Sequence, residues 1–152
     1  MVMASLVVLH VLAALVWVGG MFFAHSALRP TAANVLQPPE RLTLISGVFG
    51  RFFVWVKGAI LLLFVSGFGL IHFLGNFGKL GWYVHAMMLI AVIMTFIFAY
   101  IYGGPFRVLK SAVAAKDWPT GGLALSKIRP LIFTNLILGL ITVAIGAGGR
   151  YL

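Results

Sequence analysis

The chain has 152 residues, 62% of them hydrophobic and 9% charged. A soluble domain carries about a quarter charged residues, so a water-soluble globule is excluded. The net charge of +9 sets eleven Lys and Arg against two acids, and in so apolar a chain a basic excess reports membrane orientation, not nucleic-acid binding; the absence of cysteine removes disulfides, thiolate metal sites and iron–sulfur clusters.

Four apolar stretches follow one another at about 3–28, 52–74, 81–103 and 131–148. Each is close to the ~20 residues needed to cross ~30 Å of hydrocarbon. They predict an all-α fold: one transmembrane domain over 1–152, built as an antiparallel four-helix bundle. The first stretch is too long for a signal-peptide core and has no positive residue ahead of it, so it reads as a mature helix. After it, Pro30, Pro38 and Pro39 predict a break in the chain. Pro39 followed by Glu40 makes a good helix start, with an acid near the positive end of the helix dipole. This second helix is expected to enter the bilayer near Phe52.

The hairpin "IHFLGNFGKLGWY" joins spans two and three, with Trp82 and Tyr83 at headgroup level. The connection "GGPFRVLKSAVAAKDWPTGGLALSKIRP" leads into span four. Within it Phe106, Leu109 and Val113 repeat at helical spacing, opposed by Arg107, Lys110 and Lys116. That pattern predicts an amphipathic helix anchored on the cytoplasmic membrane surface and ended by Trp118 and Pro119; a target helix for a calmodulin-like partner has the same pattern. Nine of the eleven Lys and Arg fall between spans one and two or between spans three and four, leaving Lys79 and Arg150 on the other side. The positive-inside rule therefore puts both basic connections in the cytoplasm and both termini outside, in the periplasm for a bacterial inner membrane.

This orientation gives the four histidines a depth. His10 in span one, His72 at the end of span two and His85 at the start of span three converge on the outer third of the bilayer. His25 lies ~22 Å from His10 along the first helix, near the cytoplasmic end. Ionisable residues within a membrane are by default functional, because hydrocarbon penalises unsatisfied polar groups. The only acids, Glu40 and Asp117, lie outside the spans. Carboxylate proton relays, di-iron carboxylate sites and Ser-His-Asp triads are thereby excluded from the membrane.

Neutral imidazoles suit copper, zinc or haem iron. In a copper site two or three of His10, His72 and His85 would be joined by a thioether from Met87, Met88 or Met3, with Met88 a candidate support. In a haem b site two of the histidines would be axial ligands in the bundle core, small residues (Gly67, Gly69, Ala13, Ala14) would make room for the ring, and Lys79 and Arg150 would meet the propionates. His25, beside Ser26 and Arg29, is a candidate on the other side. Two polar stripes, His85–Met88–Thr95–Tyr102 in span three and Asn135–Thr142 beside Gly139 in span four, predict interhelical hydrogen bonds and close packing.

The stretch "LHVLAALVWVGGMFF" followed by "LRP", then "RFF" at 51–53, "AVAAKDWP" at 112–119 and "NLILGLITVAIGAGGRYL" at 135–152 resemble the copper resistance protein D (CopD) family. The resemblance implies an inner-membrane protein of copper uptake or homeostasis, with a periplasmic copper carrier as a partner. The first helix, through Leu9-His10, Trp17, Gly20 and Phe23, is also similar to HemJ-type protoporphyrinogen oxidases, four-span proteins associated with haem b. That second likeness implies a b-haem oxidoreductase linked to quinone, with Trp17 beside the site. Both resemblances carry only His10 as a ligand. The readings open at this point are copper handling, a haem redox protein, and a cofactor-free accessory subunit, each embedded in the lipid bilayer and free to form a homo-oligomer.

Overall fold

The computed structural model describes residues 1–75 and 80–151, with the backbone alone for residue 150. Every long element among them is helical. Four helices are long and apolar enough to cross a membrane: α1 (Val2–Val35), α2 (Pro38–Leu74), α3 (Trp82–Gly103) and α5 (Trp118–Gly148). A short helix, α4 (Pro105–Ala114), connects α3 to α5, and a 3₁₀ turn (Gly149–Tyr151) follows α5.

The helices outrun their apolar cores. The first continues to Val35, past the break expected at Pro30, and two wider π turns, Leu15–Gly19 and Ala24–Leu28, interrupt its α geometry. Proline has no N–H and its ring crowds the carbonyl four residues back, so a widened turn ahead of Pro30 lets the helix carry on. The chain turns at Leu36, whose φ of −113° and ψ of 140° are extended. At the start of α2 the Glu40 carboxylate accepts from the Gln37 N–H at 3.2 Å, and Pro38 occupies the first turn, where a missing N–H costs nothing. Helix α2 ends at Gly75, whose φ of +108° suits glycine.

The amphipathic segment differs from expectation at both its end and its face. It stops at Ala114, and Trp118 and Pro119 open α5 instead of closing α4. Lys116 turns the chain with a φ of 58°, and Asp117 caps α5 by accepting from the Thr120 N–H at 3.1 Å. Phe106, Leu109 and Ala112 are buried in protein, so the apolar face packs on the bundle and is not free to anchor in lipid. Arg107 and Lys110 remain exposed.

Neighbouring long helices run antiparallel, as their contact registers show. His10 meets Ser66 and Leu6 meets Gly69; Asn135 meets Met94 and Gly146 meets Met87. The core is concentrated toward the basic end. Val56, Leu109 and Ile128 are fully buried there, and Phe53 stacks on Phe49 and meets the Phe98 and Phe106 rings edge-on at 5.3 and 4.8 Å. Fully buried side chains thin out beyond Ala13, Ala59, Met94 and Leu136, so the opposite third of the bundle is more exposed.

Candidate functional site

His10 lies in that more exposed third, where α1 packs closely on α2. Its Nδ1 stands 2.9 Å from the Oγ of Ser66, which is 2% exposed. The Ser66 hydroxyl already donates its one proton to the Leu62 carbonyl, a turn back in its own helix. With that proton so placed, its oxygen is open to accept from His10 in the Nδ1–H tautomer. The Leu63 carbonyl offers the ring a further acceptor. In the neutral Nδ1–H tautomer the ring would keep its Nε2 lone pair for a metal ion, the arrangement by which second partners commonly orient imidazole ligands.

Glycines bring α1 and α2 together around this pair. A Cβ on Gly67 would stand 3.4 Å from the His10 ring, and one on Gly69 would stand 3.0 Å from Leu6. Nearer the basic end, Gly20 accepts the Phe52 ring against its backbone. The space that Gly67 and Gly69 were expected to leave for a porphyrin is thus taken by His10 and Leu6. Ala13 is buried in the core and likewise leaves no gap.

The other sequence candidates are more dispersed. His72 is exposed near the end of α2, ~9 Å beyond Ser66 by helix rise, with its ring edge-on to Phe73 at 6.0 Å. His85 is exposed on the first turn of α3. Among the described residues no three His, Asp or Glu side chains gather as a metal site. Met88 is half-buried, Met3 is exposed, and the Met87 sulfur lies over Gly146. Trp17 is buried in the core with its ring edge-on to Phe98 at 6.4 Å, well inside the packed region. Lys79 and the Arg150 side chain lie outside the described residues.

Of the polar stripes, Tyr102 accepts across helices from the Lys57 ammonium at 3.3 Å, and Asn135 also bonds between helices. Asn135, 2% exposed, donates from Nδ2 to the Met94 carbonyl at 3.1 Å, while Thr95 and Thr142 bond to their own helices at Ala91 and Leu138. Tyr102 stacks with Phe98 and Phe106 under Lys57, whose ammonium lies 4.7 Å from its ring centre. At the basic end His25 rests against Phe133 with ring centres 4.8 Å apart, on the wall of a cleft shared with Arg29, Arg41 and Arg129.

Ser66 and the arginine cleft were not found from sequence. A lone serine ahead of Gly67 in the span-two apolar run was the available signal for the first. The repeated Arg-Pro pairs, Arg29-Pro30 and Arg129-Pro130, were the signal for the second.

Long apolar helices with sparse internal polar groups define a multi-pass membrane protein of the helical-bundle class. A sequence model described as copper resistance protein D matches residues 46–148, and the chain belongs to that family. The match contains Ser66, His72 and His85 and begins after His10. No curated protein and no solved structure matches the chain.

Proposed function

We propose that this protein handles copper in the bacterial inner membrane, in uptake or homeostasis, and that His10 is the ligand around which the ion is held. The observation that carries this reading is the His10–Ser66 hydrogen bond, which orients the ring, with Nε2 the donor in the Nδ1–H tautomer, in a chain of the copper resistance family. Imidazole nitrogen suits copper, and a thioether suits Cu(I). His72 and His85, nearer the same end, serve as further ligands on the ion's path, with Met88 as a thioether neighbour. The charge split supports an orientation with that end and both termini in the periplasm, where a copper carrier would deliver the ion.

The test is copper content per folded protein, measured by elemental analysis of membranes from copper-supplied cells. His10→Ala is expected to lose most of the retained copper, and Ser66→Ala to weaken retention by about tenfold or more as the ring loses its orienting partner. His25→Ala should retain copper as the parent does. Full loading in His10→Ala would refute the reading.

A further inference from the structure

The basic end of the bundle carries a cleft of about 480 Å³ between α1, α2 and α5, lined by His25, Arg29, Asn34, Arg41 and Arg129. It deepens into a pocket backed by Ile45, Phe49, Leu125 and Ile132. Three guanidinium groups from three different helices therefore share one concavity, and Arg129 lies in the repulsive field of both Arg29 and Arg41. Cations that merely mark orientation extend into water or toward lipid headgroups, as long side chains at helix ends do. Here the Nε atoms of Arg41 and Arg129 are buried without an acceptor.

No carboxylate lines the cleft. The two acids of the sequence are committed elsewhere, Glu40 to the start of α2 and Asp117 to the start of α5. Arg29 is exposed at the mouth, while Arg41 and Arg129 are half-buried like charges with unused Nε donors. That arrangement costs stability unless an anion joins them.

We propose that this cleft is a binding site for a phosphate-bearing anion. A guanidinium presents parallel N–H donors that match two oxygens of a phosphate, and three such forks converging on one space select a multi-oxygen anion over chloride. Asn34 adds an amide donor on the wall. The cleft holds more than one phosphate group and lies at the end of helices whose outer faces, at Phe22, Phe23 and Val35, are exposed and apolar. A phospholipid headgroup and a soluble phosphate compound are both compatible with this chemistry.

The test uses the full chain in dodecyl maltoside, stripped of lipid, with thermal melting as the readout. Melting is compared in chloride, in inorganic phosphate at equal ionic strength, and with added phosphatidylglycerol or phosphatidylcholine. The parent and Arg107→Gln, an exposed cation outside the cleft, are expected to melt higher with phosphate or with phosphatidylglycerol. Arg41→Gln and Arg129→Gln should shift the anion concentration needed by about tenfold or more, while melting in chloride no lower than the parent, since like-charge repulsion is relieved. Arg41→Lys keeps the charge but not the fork, and should lose most of the response. A response to inorganic phosphate identifies a soluble ligand, and a response to phosphatidylglycerol alone identifies a headgroup. A parent that responds to neither, or arginine variants that respond as Arg107→Gln does, would overturn the proposal.

Discussion

The coupling between His10 and Ser66 can be measured directly, because each partner has a substitution that removes the bond with little change of volume. Ser66→Ala deletes one buried hydroxyl, and His10→Phe keeps an aromatic ring over Gly67 but cannot donate. The bond is 2.9 Å long and its acceptor is 2% exposed, so water competes poorly for either group. Interhelical hydrogen bonds in membrane bundles average about 0.6 kcal/mol in double-mutant cycles and reach about 1.7. The Leu63 carbonyl can take over part of the His10 donor when Ser66 is gone. A coupling near 1 kcal/mol is therefore expected, about a fivefold change in the unfolding equilibrium. The assay is reversible unfolding in mixed micelles for the parent, both single variants and the double variant. Nitrogen NMR of labelled histidine should place the proton on Nδ1 in the parent. Strict additivity of the two substitutions, or a proton on Nε2, would refute the geometry on which the copper site rests.

Three further outcomes follow from the packing, the capping and the charges. A Cβ on Gly139 would lie 2.8 Å from Val18 and 3.2 Å from Met94, so Gly139→Leu should overpack the junction of α1, α3 and α5 and cost about 1–3 kcal/mol in the same unfolding assay. Hydrogen bonds from Thr120 hold the Asp117 carboxyl below its ordinary pKa. A depressed carboxylate stabilises the fold above its unfolded pKa and loses that contribution as pH falls through the folded value. Asp117→Ala should accordingly lower the melting temperature at neutral pH, with the gap to the parent closing below the ordinary aspartate range. Reporter fusions at the C-terminus should behave as periplasmic, and fusions near Gln37 or Asp117 as cytoplasmic; the reversed pattern would move the His10 end to the cytoplasm.

The spans were legible because crossing hydrocarbon demands runs of apolar residues that no soluble helix needs, and those runs lie inside the four long helices. Their ends were less legible. Pro30 and Pro119 both look like helix stops, yet one is carried inside α1 behind a π turn and the other sits in the first turn of α5. Proline rules are local, whereas a bundle supplies packing that outweighs one lost hydrogen bond. The amphipathic pattern of α4 was visible, but periodicity cannot tell whether lipid or protein covers the apolar face. Similarly, His10 stood out as an ionisable residue in oil, while Ser66 was silent until the antiparallel register brought it opposite. The arginines were read for their sign alone, because their clustering depends on three helix ends meeting.

The family match begins at residue 46, so α1 lies wholly outside it, and yet the His10 ring depends on matched residues. Phe52 fills the hollow at Gly20, Ser66 and Gly67 receive His10, and Gly69 receives Leu6. These contacts lie several turns apart on α2, at Phe52 and again at 66–69, so α2 seats α1 at both levels. Bulk added at Gly67 or Gly69 would lift α1 from that seat and turn the His10 ring out of reach of Ser66. The ligand geometry is thus set by the receiving helix as much as by the helix that carries the histidine. A swap of α1 for another apolar helix would keep a four-span protein and lose the His10–Ser66 contact on which the copper proposal rests, unless histidine is restored at the position facing Ser66.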